Sequence, residues 1–395
     1  MQTPSKKKTI IVFSLTFDKS AFGGAEIALF EICKRLSPFG FDFIVIAQNT
    51  NGIRKEVTEG VTIYRVGPRL RKQYGHISNM YKIGYIFFAY RLASKLGEKY
   101  SISIVWSIMA NYAGFSGLFF KLFHPRKIFL LTLQEGDSID HIKKRVGILY
   151  PLYKLIFKKA NKIHAISTML ASYASAMGYS GNVHVVPNGV DSSVFTDRCE
   201  VANERMLIRN EWGVNENQKI ILTTSRLVYK NGIDIIIDAL KLLPDEYSLV
   251  VVGQGPLLAE LKARAQKNAV SDRIIWLGYK AQNELPPLLR SADIFTRPSR
   301  SEGLGNSFLE AMACGVPIVA PLVGGIKDFL VHKKTGFVCE AESPTSLAET
   351  IMFALYEETE RARVVKNAKE CIMQRYTWEH CAMAMKSFLE YENEK

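Results

Sequence analysis

One rhythm constrains this chain more than any other feature, and it occurs twice. Apolar runs of five to eight residues, rich in Ile, Val and Phe, alternate with longer segments of helical period. Such alternation is the mark of βα units laid around parallel sheets, whose strands are buried on both faces and so read as nearly continuous apolar runs. In the first half the pattern predicts strands over 9–17, 41–48, 61–66, 102–107, 127–133, 162–166 and 183–186. It restarts after an irregular polar stretch, 191–218, with strands over 219–225, 248–253, 273–278, 293–297 and 317–320. The expected fold class is therefore α/β, with two doubly wound Rossmann-like domains.

The turn cluster Pro187-Asn188-Gly189-Val190-Asp191 suits a connection between them. The expected domains are 1–190 and 191–376. In the last segment, 377–392, Trp378, Cys381, Met385 and Leu389 recur at spacings of three and four, which predicts a helix with one buried stripe. This C-terminal helix, within 377–395, is expected to pack on the first domain.

A length of 395 residues suits two cores better than one. No segment reaches the roughly 18 to 20 consecutive apolar residues of a membrane-spanning helix. Lys6, Lys7 and Lys8 followed by the apolar 10–17 imitate a short secretory signal, but Asp18 and Lys19 stand where a small neutral cleavage site belongs. Six cysteines (Cys33, Cys199, Cys314, Cys339, Cys371, Cys381) form no CxxC pair, consistent with reduced thiols. The expectation is a cytoplasmic protein.

Charge is unevenly spread. Residues 1–185 hold 26 Lys and Arg against 10 Asp and Glu, a net +16, whereas the remainder holds 25 against 28, a net −3. One half is thus suited to approach something anionic, such as a lipid surface or a phosphate-bearing molecule. No nucleic-acid-binding motif accompanies the charge, so nucleic acid is not an expected partner.

In doubly wound sheets, ligands bind outside the C-terminal ends of the strands. Three Gly-containing strand-to-helix turns lie at such places: Phe22-Gly23-Gly24-Ala25-Glu26, Gly253-Gln254-Gly255-Pro256 and Gly303-Leu304-Gly305-Asn306-Ser307. Glycine lets backbone amides approach an anion, and the following helix N-terminus adds partial positive charge. The third turn is the most specific, because it lies in the run from Arg297 to Pro317 that sets Glu302 eight residues before Glu310. Glu302 is expected on the turn and Glu310 inside the helix, within the small apolar stretch 308–314, where a carboxylate is costly without a partner.

These motifs resemble the retaining glycosyltransferases of the GT-B fold, specifically glycosyltransferase family 4 (the group 1 glycosyl transferases). The resemblance rests on Gly23 to Glu26, Pro187 to Asp191, Ser225-Arg226-Leu227 with Lys230 to Gly232, Gly253 to Pro256, and the Glu302/Glu310 pair of an EX7E motif. It implies two domains facing across a cleft and transfer of a hexose from a UDP- or GDP-sugar to a glycan, lipid-linked or other hydroxyl acceptor. Glu302 would contact sugar hydroxyls and Glu310 the ribose. Arg226 and Lys230 would neutralise the diphosphate, while Gly23, Gly24, Gly255, Gly303, Leu304, Gly305, Asn306 and Ser307 would line the donor site. Neither a cofactor nor a metal is expected, since the leaving diphosphate is thought to take the acceptor's proton.

Two positions depart from the family pattern. Gln134 stands where many members have a sugar-contacting His; it can hydrogen-bond a hydroxyl but cannot carry charge. The usual Lys-Gly is here Lys230-Asn231-Gly232, which brings Asn231 into question for the lysine's place. A non-catalytic nucleotide-sugar-binding scaffold and a nucleotide-sugar epimerase stand as alternatives.

Acceptors in this fold bind mainly to the first domain, the basic one here. The stretch 141–162 interleaves Lys143, Lys144, Arg145, Lys154, Lys158 and Lys159 with Ile148, Leu149, Leu152, Leu155, Ile156 and Phe157, which fits an interfacial helix or a packed helix rimmed by lysine. Arg65, Arg69, Arg71 and Lys72 add to the expected basic face. Peripheral attachment to the inner face of an anionic membrane, in cell-envelope polysaccharide or glycolipid synthesis, is the corresponding expectation.

Overall fold

A computed structural model describes residues 7–17, 23–70, 78–198, 203–215 and 217–391. Asp18, Lys19, Phe22, Arg71, Lys72 and Cys199 lie outside the described residues. The chain forms two compact units, one of residues 1–188 with 378–395 and the other of 189–377.

The first unit holds strands β1 (Lys8–Phe13), β2 (Phe41–Gln48), β3 (Lys55–Thr58), β4 (Val61–Val66), β5 (Ile102–Ile108), β6 (Ile128–Leu133), β7 (Lys162–Ala165) and β8 (Val183–Val185). Their order is β3-β4-β2-β1-β5-β6-β7-β8, all parallel except β3, which pairs antiparallel with β4. Because side chains alternate across a strand, Ile10 and Val12 face one core with Phe43, Val45 and the helix Gly24–Leu36. Ile11 and Phe13 face the other, with Ile44, Ile46 and the helix Asn79–Lys99. The helix Trp378–Glu390 lays its stripe of Trp378, Cys381, Met385 and Leu389 into the first of these cores.

Three local expectations change. The first strand ends at Phe13 rather than Phe17, since Ser14 turns off the sheet and gives its hydroxyl to the Thr16 carbonyl at 2.7 Å. β3 escaped the apolar-run criterion because it is a short edge strand, KEVT, with no buried residue. Residues 141–162 are two helices, Ile139–Val146 and Tyr150–Lys159, separated at Gly147 (φ +54°). Tyr153, Ile156 and Phe157 turn inward, whereas Ile148 and Leu149 are 95% and 54% exposed.

The second unit adds β9 (Lys219–Thr224), β10 (Tyr247–Val252), β11 (Ile274–Gly278), β12 (Ile294–Thr296), β13 (Ile318–Ala320) and β14 (Phe337–Val338). All are parallel, in the order β11-β10-β9-β12-β13-β14. The two-residue β14 is too short to read from an apolar run. The polar stretch 191–218 contains a helix, Glu204–Glu211, whose Arg209 is buried and paired with Asp293. Strand order reverses at β1/β5 in one unit and at β9/β12 in the other, and these switch points are where a doubly wound sheet opens to ligands.

Among the described residues no helix is long and apolar enough to cross a membrane. Cys33, Cys314, Cys339, Cys371 and Cys381 are free thiols.

Candidate active site

In the second unit the loops leaving β9 and β12 lie side by side. The Arg300 amide donates to the Lys230 carbonyl at 2.7 Å, and the Arg300 side chain grips Asp234 through two hydrogen bonds of 2.9 and 2.7 Å while lying over the Tyr229 ring. A Cβ on Gly232 would come within 2.1 Å of the Pro298 carbonyl, so glycine is required for this approach. Arg226 is exposed at the end of β9, and none of the described residues holds its guanidinium. Lys230 is half-buried on the same loop. Asn231, in contrast, is buried and donates its amide to the Arg226 carbonyl at 2.7 Å, so it shapes the loop from within.

The helix Asn306–Ala313 begins after Gly305, which has φ +99° and whose added Cβ would meet the Phe308 ring at 2.8 Å. Its neighbours Gly303 and Leu304 are buried, and Asn306 and Ser307 are half-buried in the first turn, where backbone N–H groups point outward from the helix start. Behind the turn sits Arg297, 7% exposed, which donates to Ser307 Oγ at 2.7 Å and Ser299 Oγ at 3.2 Å and pairs with Glu302. Glu302 Oε1 accepts from the Gly303 amide at 3.1 Å. Arg297 thus ties the carboxylate to the helix start. Sequence reasoning included it in the motif without giving it a role; its signal was a cation ending an apolar strand.

Glu310 lies inside the helix and is buried, with Oε1 accepting from Gln282 Nε2 at 3.3 Å. Burial pushes its carboxyl up to about 7, against the opposing pull of the Gln282 hydrogen bond and the Arg297 charge. A carboxyl held there has unused acceptor capacity for ligand hydroxyls. Gly255 closes this side of the unit by its approach to Leu227, whose carbonyl would be 2.3 Å from an added Cβ. Glu302, Gly303, Leu304, Gly305, Asn306, Ser307, Glu310, Arg226, Lys230 and Gly255 therefore share the C-terminal edge of one sheet.

Gly23, Gly24 and Gln134 belong to the first unit. The Gly23 amide donates to Glu26 Oε2 at 3.1 Å, and Glu26 also accepts from Thr16. The sequence expectation that Gly23 would line a donor site thus meets a helix start already capped by its own carboxylate. Gly24 is the first residue of that helix.

Gln134 follows β6, and its Oε1 is buried with no hydrogen-bond partner among the described residues. Beside it Glu135, 4% exposed, accepts from the Ala110 amide at 2.6 Å and the Gln134 amide at 2.9 Å. Burial raises the Glu135 carboxyl above its ordinary range. The carboxylate spans the ends of β5 and β6, next to Met109, which holds an unusual φ of +70°. Sequence reasoning gave Glu135 no role.

Below these loops, Trp106 Nε1 donates to Thr132 Oγ1 at 2.7 Å, and Thr132 lies 2.9 Å from His164 Nδ1. His164 Nε2 lies 2.8 Å from the Val186 carbonyl. The Val186 carbonyl can only accept, so the neutral His164 carries its hydrogen on Nε2, and its Nδ1 accepts the Thr132 hydroxyl proton while Thr132 Oγ1 accepts from Trp106. Burial lowers this imidazole to about 4, fixing it neutral. Arg65 is likewise a structural cation: it is 3% exposed and paired with Glu56 at 3.0 Å, which removes it from the expected basic face.

Residues 22–194 match the family described as Glycosyltransferase Family 4, and residues 204–371 match Glycosyl transferases group 1. The chain belongs to the family 4 glycosyltransferases. This glycosyltransferase is 26% identical, over 93% of its own length and 94% of the relative's, to an uncharacterised glycosyltransferase of Methanocaldococcus jannaschii. It is 30% identical to the GDP-mannose-dependent α-(1-6)-phosphatidylinositol monomannoside mannosyltransferase of Mycobacterium tuberculosis, over 61% of this chain and 66% of that one. Among solved structures, Anabaena HepE in complex with UDP-glucose superposes with a TM-score of 0.80 over 96% of this chain and 99% of that one, at 20% identity. The glycosyltransferase has the GT-B fold, built from two parallel-sheet α/β domains.

Proposed function

We propose that this glycosyltransferase transfers a hexose, with retention of anomeric configuration, from a UDP- or GDP-sugar to a hydroxyl acceptor. The observation that carries this reading is the convergence of Glu302, Glu310, Arg226 and Lys230 on the C-terminal edge of the second sheet, at its switch point. Arg226 and Lys230 supply positive charge for a diphosphate, and the amides opening the helix Asn306–Ala313 supply directed donors. Glu310 accepts from the ribose, while Glu302, steadied by Arg297, faces sugar hydroxyls. The GDP-mannose dependence of the mycobacterial relative and the UDP-glucose bound to HepE support these two nucleotide classes.

In the proposed reaction the bond from the sugar's anomeric carbon to the diphosphate oxygen breaks, and a bond to the acceptor oxygen forms on the same face. The acceptor's proton passes to the departing diphosphate. The chain's work is to stabilise charge on that leaving group and to hold the acceptor. No metal or other cofactor enters the proposal.

On the acceptor side, the unpartnered Gln134 Oε1 can accept from a hydroxyl. Exposed Ile148 and Leu149 beside Lys143, Lys144 and Arg145 fit peripheral contact with an anionic membrane and a lipid-linked or glycan acceptor in envelope synthesis. The test is product analysis: incubation with UDP- and GDP-hexoses and candidate acceptors should release nucleoside diphosphate and yield a glycoside with the donor's anomeric configuration. An inverted product, or an epimerised nucleotide sugar without glycoside, would refute the reading.

A further inference from the structure

A second cationic recess lies in the first unit, between β4 and the helix Asn79–Lys99. It has a volume of about 470 Å³ and is lined by Arg54, Arg91 and Lys95, with the rings of Tyr64 and Phe88 as walls and Gly67 at its end. Arg65 also borders it but is spent on Glu56. Arg54 gives one N–H to the Gly67 carbonyl at 2.6 Å, and Arg91 and Lys95 have no acidic partner among the described residues. Among the described residues no carboxylate lines the recess.

A second observation points to a ligand. Gln48 is wholly buried at the end of β2, level with Val66 in the neighbouring β4, and neither its side-chain Nε2 nor its Oε1 has a hydrogen-bond partner among the described residues. Its Nε2 lies 3.1 Å, and the Phe88 ring 3.6 Å, from where a Cβ on Gly67 would stand, so the polar group abuts the recess wall at Gly67. Gly67 has φ +77° and presents bare backbone at that point.

We propose that this recess is a subsite for an acidic saccharide unit, a sugar bearing phosphate or carboxylate. Arginine forks suit such oxyanions, and flat aromatic walls suit the C–H face of a pyranose. The volume accommodates one sugar with its charged group. β4 is two strands, roughly 10 Å laterally, from β1, and the recess lies on the face of the sheet covered by the helix Asn79–Lys99, with the helix Gly24–Leu36 on the other face. Its assignment to the acceptor rests on the transferase reading. Binding of an acidic sugar there does not.

Protein-observed NMR titration of the full chain with glucose 6-phosphate, glucuronate and glucose tests the subsite, comparing wild type with the double variant Arg91→Glu/Lys95→Glu. Both positions are exposed, and the thermal response to UDP- and GDP-sugars reports on the fold and the donor site separately. The expected result is at least tenfold tighter binding of one acidic sugar than of glucose, weakened at least tenfold in the double variant while the nucleotide response persists. The better of the two acidic ligands identifies phosphate or carboxylate as the recognised group. Equal binding of glucose, binding unchanged by charge reversal, or no binding at all would overturn the proposal. Acidic-sugar binding in a protein that shows no response to nucleotide sugars would keep the subsite and refute the transferase reading instead.

Discussion

The strand-end loops of the two units are built by different means. In the second unit they are closed by backbone approach: an added Cβ on Gly253 would stand 1.8 Å from the Ser225 carbonyl, and one on Gly324 1.9 Å from the Glu302 carbonyl. Buried Arg297 then ties the turn from Glu302 to Ser307 together. In the first unit, side chains do the same work. Glu26 caps one helix start, Glu135 bridges the ends of β5 and β6, and the Trp106–Thr132–His164 chain fixes the strands below. In the proposed reaction backbone closure would give a rigid cradle for phosphates, whereas side-chain closure would leave loop shape open to variation, as the proposed acceptor side requires.

The largest effect should come from removing the free cation of the cradle. Arg226→Ala is expected to lower kcat/KM for transfer by roughly 10²- to 10³-fold, the range seen when one preorganised charge stabiliser is lost. Melting temperature should stay within a few degrees, because Arg226 is exposed and its side chain holds none of the other described residues. A loss of folding with little loss of residual activity per folded molecule would place Arg226 in the scaffold instead.

Next comes the contrast between the two kinds of glycine. Gly253→Ala should cost the second unit roughly 3 kcal/mol or more, through both its φ of +143° and the Ser225 clash. Gly147→Ala, at φ +54° with nothing within 4 Å, should cost only about 1 kcal/mol. Equal costs in denaturant unfolding would break the distinction between a glycine that closes a strand-end loop and one that only links two helices.

Buried titratable groups sharpen the comparison through pH. Glu310 ionises near 7 in the folded chain and at an ordinary 4.5 when unfolded, so the folded state holds more protons between those values. Its contribution therefore destabilises the second unit as pH rises from 4.5 to 7, by roughly 3 kcal/mol. Glu310→Gln should flatten that dependence, which denaturant titration across pH would detect. His164 behaves oppositely. Its pKa falls from 6.5 to about 4, so its contribution to the first unit is complete above 6.5 and lost as pH falls toward 4, again by roughly 3 kcal/mol.

The smallest expected effect is at Glu135. Glu135→Gln keeps the shape and one acceptor, and should change KM for the acceptor several-fold through the Gln134 loop while leaving nucleotide binding unchanged. Steady-state kinetics with both substrates varied would show the split.

The same contrast explains what could be read without coordinates. β2 begins and ends where its apolar run does, because a strand buried on nearly all of both faces announces itself in composition, and β4 does so through alternating buried and half-buried residues. The Glu302-to-Ser307 turn was legible because backbone closure demands glycine at fixed spacings, as at Gly305. Side-chain closure leaves no such spacing: nothing local marks Glu135 as a bridge to Ala110, twenty-five residues away. Arg65 looked like part of a basic face because its partner Glu56 sits on a strand too short and polar to be recognised. Asn231 drew attention as a substitute ligand, but its amide faces inward to Arg226's carbonyl, a direction sequence does not record.

The most direct test of the donor cradle is thermal stabilisation by a panel of UDP-, GDP-, ADP- and dTDP-sugars, with Glu310→Ala alongside, since a ligand that binds only the native state raises its apparent stability. The account predicts a selective shift with a UDP- or GDP-sugar that is lost in the variant. A well-folded sample that shifts with no nucleotide sugar, or an equal shift in Glu310→Ala, would contradict it.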